Sequence, residues 1–337
     1  MEHDLEPLAP ETAVEQYIES RKLDATQSTI RNLRYRLKRF LEWADETDFD
    51  DMNQMSGREA EHFKNWRVNN DGINAVTLEQ HLRTFRLFIR WCESNDAVES
   101  GVADKIIIPQ LSDEEKARDV HIEAEQAEEI IDYLSQFEYA SMRHIIFHIL
   151  WHTGMRRSSL HSLDVEDWYP DSGTLTVKNR EGTPLKLGDN GERHINIVDA
   201  DLVNALSDYI KKNRPDVEDE YGRKPLIATQ HGRAHINTIQ SHVYRVTRPC
   251  YYSNDCPHGE VIEDCEATSR DNFSKCPSSI SPHPVRRGAI TAHLNRDVPV
   301  EIASERMNVS IETLELHYDA RSKEEKRKNR KSHLSNI

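Results

Sequence analysis

Residues 152–168 read HTGMRRSSLHSLDVEDW. The run that leads into them, MRHIIFHILWHTG, is dominated by apolar side chains and ends on Gly154, the residue type that most cheaply takes the left-handed conformation closing a helix. A helix therefore stops at Gly154, and a polar, leucine-bearing segment opening on Arg156 and Arg157 follows it. Further on, GTLTVKN (173–179) and ERHINIV (192–198) read as two short strands around a turn region holding Gly182, Pro184, Gly188 and Gly191, a hairpin with a long tip. Residues 199–212 and 235–247 carry helical periodicity on either side of the strand-like PLIAT at 225–229, and the end of the chain is helical again. This half is expected to be mainly α with a small β-hairpin or sheet, an α+β unit.

Toward the N-terminus the pattern is wholly helical. IRNLRYRLKRFLE between Thr29 and Trp43 is echoed by LEQHLRTFRLFIR between Thr77 and Trp91, with Thr and Trp fourteen residues apart both times. Leu37, Phe40 and Trp43 correspond to Phe85, Phe88 and Trp91, an apolar stripe at three-residue steps, and Ser28 or Thr29 and Asn74 to Thr77 are the capping candidates. Helical patterns at 11–21 and 58–67 complete four helices. The aromatics read as core, and Arg31, Arg34, Arg36, Lys38 and Arg39 on the opposite face are the DNA-binding candidates. Between 97 and 120, AVESGVADKIIIPQLSDEEKARDV has Gly, Pro and charge without period. The expected division is a helical domain at 10–98, a linker at 99–117, a mixed domain at 118–322 with a Cys-rich insertion at 250–276, and a basic tail at 323–337.

Bulk properties narrow the function classes. A chain of 337 residues suits two domains. No stretch approaches the roughly 18 uninterrupted apolar residues of a membrane helix, and the N-terminus MEHDLEPLAPE lacks a basic region followed by an apolar one, so a cytoplasmic protein without a membrane partner is expected. A net charge of -15 opposes nucleic-acid binding, yet cations cluster at 31–39 and again at Lys323, Lys326, Arg327, Lys328, Arg330 and Lys331. The second cluster reads equally as a solvated helix or as a DNA or partner contact. Arg outnumbers Lys and acidic residues are spread throughout, a surface suited to a salt-rich, halophilic cytoplasm where repulsion is screened within a few ångström.

Breaking DNA through a covalent intermediate needs a hydroxyl nucleophile, cations for the pentacoordinate phosphate, and an acid for the leaving 5′-oxygen. Tyr, paired Arg, and Lys or His meet those needs without metal, and the planar fork of Arg grips two non-bridging oxygens at once. The chain presents such residues in order: Arg156 after Thr-Gly, lysines in the hairpin, His283-Pro-Val-Arg286, and Tyr318 in LELHYDAR 35 residues past His283.

In that order the motifs resemble the tyrosine recombinase or phage integrase family over nearly the whole chain, in its haloarchaeal site-specific integrase form related to the chromosome-dimer-resolving recombinases. The resemblance implies an N-terminal four-helix, SAM-like core-binding domain clamping DNA and a catalytic domain of the DNA breaking-rejoining type. It implies Tyr318 as nucleophile, Arg156, His283 and Arg286 on the phosphate, Arg157 as a DNA-contacting neighbour, and a hairpin Lys. Lys186 in the glycine-bearing tip is the choice, because Lys178 within the first strand reads as a solvated strand residue. Ser159 stands where the family carries Glu. The family's Leu-Gly-His or Leu-Gly-Trp becomes Met307-Asn308-Val309, so Asn308 or Val309 falls at the His/Trp position, and Asn308 can take the left-handed turn. The implied activity is site-specific cleavage and rejoining of double-stranded DNA through a 3′-phosphotyrosyl bond, for integration or excision, by a homo-tetramer on two duplexes with no cofactor required for the chemistry. The alternatives are a catalytically inactive site-specific DNA-binding regulator and a type IB topoisomerase-like activity.

Cys250-x5-Cys256-x8-Cys265-x10-Cys276 lies outside the common family pattern. Four thiolates can close a structural zinc site, with His258 as an alternate ligand, although paired Cys-x2-Cys knuckles are missing; unmetallated loop cysteines are the other reading. A filled tetrahedral site leaves no open position for hydrolysis.

Overall fold

The computed structural model describes residues 5–111, 120–319, 321, 322 and 324–328. They fall into two compact units divided between residues 118 and 119. Residues 112–117 of the expected linker, and Lys323, Arg330 and Lys331 of the basic tail, lie outside the described residues.

The first unit is built from α1 (Pro10–Arg21), α2 (Gln27–Glu46), α3 (Gly57–Asp71) and α4 (Ala75–Ser94). Leu37, Phe40, Trp43, Phe85 and Phe88 all turn inward, as the stripe predicts, and Phe40 lies within 5.7 Å of Phe63, Phe85 and Phe88, centroid to centroid. Trp91 is partly buried against the same core. Asn74 caps α4 by accepting from Thr77 N at 2.9 Å. The cap of α2 is Thr26, not Ser28 or Thr29; its hydroxyl accepts from Thr29 N at 3.2 Å, so the helix begins two or three residues earlier. The early part of the expected linker is also ordered into this unit. Val102–Lys105 forms a short helical turn, α5, with Val102, Ala103 and Ile106 in the core.

The second unit carries α6 (Ala124–Phe137), α7 (Met142–Thr153) and α8 (Arg157–Ser162), then an antiparallel sheet of β1 (Trp168–Tyr169), β2 (Thr174–Val177) and β3 (Arg193–Asn196), with Leu175 opposite Ile195. α9 (Ala200–Asp208), the pair β4 (Ala228–Thr229) and β5 (Gly232–Arg233), α10 (Ile236–Val246), α11 (Pro249–Tyr252), α12 (Pro282–Asn295), α13 (Val300–Met307) and α14 (Ile311–His317) follow. α7 is apolar nearly all round because it is central: Ile145, Ile146, Phe147, Ile149 and Leu150 are at most 1% exposed. α12 reaches the core by a close approach at Gly288, where a Cβ would lie 2.2 Å from the Ile122 carbonyl oxygen. The architecture is α+β, as expected.

Burial keeps several histidines of this unit neutral. His144, His152, His161 and His242 are each pulled down to about 4, chiefly by desolvation. An unfolded histidine titrates near 6.5, so between about 6.5 and 4 the unfolded chain holds more protons than the folded one. Stability therefore rises with pH across that window and is lost as pH falls through it. Thermal unfolding between about pH 7 and 4.5 is expected to give a slope of two or more protons, each about 1.4 kcal/mol per pH unit. A flat profile would contradict this.

Candidate active site

Gly154 ends α7 at φ +59°, where a Cβ would press to 2.9 Å from Met307 Sδ. Its carbonyl accepts from Arg286 Nη1 at 2.7 Å. Arg156 comes next in the chain as the N-cap of α8, in extended conformation, and sends Nη1 to the Asn308 carbonyl at 2.7 Å. The glycine stop thus does two things: it turns the chain so that Arg156 leaves the helix axis, and it offers Arg286 an acceptor.

α12 supplies the other half. His283 and Arg286 are one helical turn apart and so share a face. The Arg286 guanidinium carbon lies 5.0 Å from the Tyr318 ring centroid, and the His283 and Tyr318 rings are 5.2 Å apart. Tyr318 follows α14, with its N–H on Leu314 O at 3.0 Å and its carbonyl accepting from Thr291 Oγ1 at 3.1 Å. It is 7% exposed and packs in an apolar cluster with Ile290, Met307 and Leu314.

Charge is concentrated here. Burial, and then the charge of Arg156, pull Arg286 down to about 10. His283 is lowered by burial first, then by Arg286, Lys186 and Arg156, so the neutral ring is favoured and the hairpin tip lies within electrostatic reach. Arg286 is 1% exposed, and its Nε and Nη2 have no acceptor among the described residues. Arg156 and Arg286 are met by backbone carbonyls, with no carboxylate ion-paired to either among the described residues. Buried guanidinium groups held this way retain an appetite for an anion.

The comparisons with known proteins bear on the fold that carries this arrangement. Residues 14–95 match the family model of the phage integrase N-terminal SAM-like domain. The structure of the Tn1549 transposon integrase in complex with transposon right end DNA superposes with a TM-score of 0.65, covering 97% of this chain and 100% of that one at 14% identity. The chain has the fold of these integrases, and its first unit is a phage integrase SAM-like domain. A λ integrase dimer bound to a COC′ core site gives 0.65 over 93% of this chain and 78% of that one at 11% identity, and λ integrase residues 75–356 bound to DNA give 0.58 over 89% and 91% at 12%. At such identities the likeness is one of fold. No curated protein matches the chain.

Within this fold the two hairpin lysines have different surroundings. Lys178 is ion-paired at 3.3 Å with Asp167, a fully buried carboxylate that also takes Arg180 Nη2 at 2.6 Å. Lys186 is exposed in the tip and makes no ion pair with a described residue. Asn179 organises that tip by accepting from Leu185 N at 3.0 Å and donating to Asp189 Oδ1 at 2.8 Å. Ser159 is 5% exposed inside α8, and the support that Arg156 receives comes from Asn308 O. Asn308 takes the left-handed conformation at φ 50°, ψ 65°. Val309 is 6% exposed in the apolar cluster, which leaves Asn308 as the polar side chain of the pair.

The basic segment of α2 divides by helical geometry. Arg31 and Arg34 are exposed, with no ion pair among the described residues. Arg36 is spent on Thr84 Oγ1 at 2.9 Å and Gln80 Oε1 at 3.0 Å, Lys38 lies 3.6 Å from Glu42, and Arg39 pairs with Glu42 and, at 3.4 Å, Asp71. Arg157 hydrogen-bonds Gln240 of α10.

Cys250, Cys256, Cys265 and Cys276 are free thiols that line one cavity together with His258. Burial pushes the Cys250 thiol up, and the three other sulfurs are close enough to add to the shift. As placed, no group of three or more His, Cys, Asp or Glu among the described residues could hold a metal ion, so structural zinc is unsupported by the geometry.

Sequence reasoning missed Arg193 and Arg306. Arg193 Nε donates to Arg306 O at 3.0 Å beside the site, and burial, then the charges of Arg286 and Arg156, lower it to about 10. Arg306 reaches Asn196 O at 2.8 Å and His152 O at 3.1 Å. Lone strand and helix arginines carry no motif, so nothing local distinguished them.

Proposed function

We propose that this chain is a site-specific recombinase that breaks and rejoins double-stranded DNA through Tyr318, with Arg156 and Arg286 gripping the scissile phosphate, His283 beside them, and Lys186 protonating the leaving 5′-oxygen. The observation that carries this reading is the convergence of Arg286, His283 and Tyr318 within 5.2 Å around two buried guanidinium nitrogens that have no acceptor among the described residues. Tyr318 Oη attacks phosphorus, the P–O5′ bond breaks, and the phosphotyrosyl bond conserves the energy for rejoining, so strand transfer needs no nucleotide or metal. Arg31 and Arg34 are the clamp cations best placed for backbone phosphates, with Lys38 and Arg39 partly neutralised by Glu42. A homo-tetramer acting on two duplexes in the cytoplasm completes the reading. The λ and Tn1549 integrases seen with DNA support the duplex as partner. The intact nucleophile weighs against an inactive DNA-binding regulator.

Polarity tests it. On a nicked duplex made from sequence flanking the gene for this chain, the 5′-labelled strand is expected to become protein-linked while the 3′ fragment leaves with a free 5′-hydroxyl. Attachment of the opposite fragment, or binding without any adduct, would favour other chemistry or the regulator.

A structural zinc on Cys250, Cys256, Cys265 and Cys276 is part of the same proposal. Four thiols and His258 share one cavity in a segment whose regular structure is confined to single turns, and in such segments metal binding and local folding are coupled, so the sulfurs draw together as the ion binds. The purified protein is expected to carry about one zinc per chain and to lose thermal stability in a strong chelator. A metal-free protein whose Tm is indifferent to zinc and chelator alike would refute it.

A further inference from the structure

The turn that closes α13 gathers three arginines. Arg193 Nε donates to Arg306 O at 3.0 Å, Arg286 Nη1 to Met307 O at 2.9 Å, and Arg156 Nη1 to Asn308 O at 2.7 Å. Three consecutive carbonyls thus hold guanidinium groups from three different elements. Carbonyls at a helix end lack intrahelical partners and carry the negative pole of the helix, which makes them suitable acceptors for cations. Two of the three arginines belong to the phosphate site described above. The third, Arg193, comes from β3 of the hairpin.

Arg193 also binds the hairpin to itself. Its Nη1 donates to Gly191 O at 2.8 Å, and a Cβ on Gly191 would lie 3.1 Å from Leu185 Cβ and 3.5 Å from Asn308 Nδ2. The returning arm of the tip is therefore pressed against both the 306–308 turn and the residue preceding Lys186. Leu185 is 6% exposed and anchored, whereas Lys186 beside it is exposed. The Nη2 of Arg193 is buried with no acceptor among the described residues, so this burial is retained at a cost.

We infer that Arg193 is a positioning residue that locks the Lys186-bearing tip to the 306–308 turn, fixing the proton donor relative to the phosphate-binding arginines. The inference rests on the proposed role of Lys186. In the cleavage step the Tyr318 Oη–P bond forms as the phenol proton passes to the neutral His283 ring or to solvent, the P–O5′ bond breaks, and a proton passes from Lys186 Nζ to O5′. A tip displaced by about an ångström impairs the proton transfer and leaves DNA binding largely intact. A 5′-bridging sulfur removes that dependence, since a thiol titrates near 8.5 and its thiolate departs without a proton.

Single-turnover cleavage is to be followed on the nicked flanking-sequence duplex, with either the ordinary phosphodiester or a 5′-bridging phosphorothiolate at the scissile bond. Arg193→Gln is expected to slow the ordinary substrate about 100-fold, the scale of general-acid catalysis, with DNA affinity within about threefold of wild type. On the sulfur substrate it returns to within about threefold of wild type, as does Lys186→Ala, and the double variant is no slower than Lys186→Ala alone. Arg193→Lys keeps the charge but cannot span both carbonyls, and it is expected to show a smaller loss with the same sulfur rescue. Should Arg193→Gln unfold, this variant decides. A defect of equal size on both substrates, no defect at all, or failure of sulfur to rescue Lys186→Ala overturns the inference. A wild type that forms no adduct on either substrate would instead overturn the recombinase reading itself.

Discussion

Replacing Tyr318 with phenylalanine is expected to remove the covalent protein–DNA adduct entirely while leaving DNA affinity within about threefold of wild type. The change deletes one oxygen and keeps the ring. That ring packs against Met307 and Leu314 and stands under Arg286 and beside His283, so the fold and the cationic pocket survive the substitution. Gel retardation separates binding from covalent capture in one experiment. Residual adduct in the variant would move the nucleophile elsewhere, and loss of binding would mean that the interaction of the hydroxyl with Arg286 is needed to hold the cationic pocket.

The second large effect is at Arg286. Arg286→Gln is expected to reduce cleavage by about 10²- to 10³-fold, the loss typical of removing one preorganised donor to a developing anion. It also strips the Gly154 and Met307 carbonyls of a shared donor at a position that is 1% exposed, which costs about 1–3 kcal/mol of stability. Arg156→Gln is expected to match the kinetic loss with less destabilisation, since Arg156 serves a single carbonyl, that of Asn308. Parallel denaturant titrations and single-turnover rates check the contrast. Equal stability loss in both variants, or a rate loss under tenfold in either, would contradict the assigned roles.

The parts of this molecule that were legible in the sequence are those written locally. The glycine stop at Gly154, the 283–286 box and the paired aromatic helices each depend on residues within a turn or two of one another, and all appear where periodicity and motif place them. Asn308 belongs here too, since a left-handed helix end is a local requirement that Asn meets. What stayed hidden was settled by partners distant in the chain. Arg36 looks like any other cation of 31–39, yet it is engaged by Gln80 and Thr84 across the helical unit. Lys178 and Lys186 are separated by the pull of Asp167, which no hairpin pattern announces. Arg193 and the Arg306 carbonyl meet across more than a hundred residues, through a backbone acceptor that every residue possesses. The cap of α2 was misplaced because Thr26, Ser28 and Thr29 are equally competent by type, and their packing alone decides among them.

The central claim is that Tyr318 is joined to DNA at a phosphate held by Arg156 and Arg286. Its most direct measurement is to trap the adduct on the nicked flanking-sequence duplex, digest protein and DNA, and locate the phosphonucleotide by mass spectrometry. A single modified peptide bearing the nucleotide on Tyr318 is expected. A nucleotide on any other residue, or digests free of modification from a protein that binds the same duplex, would contradict it.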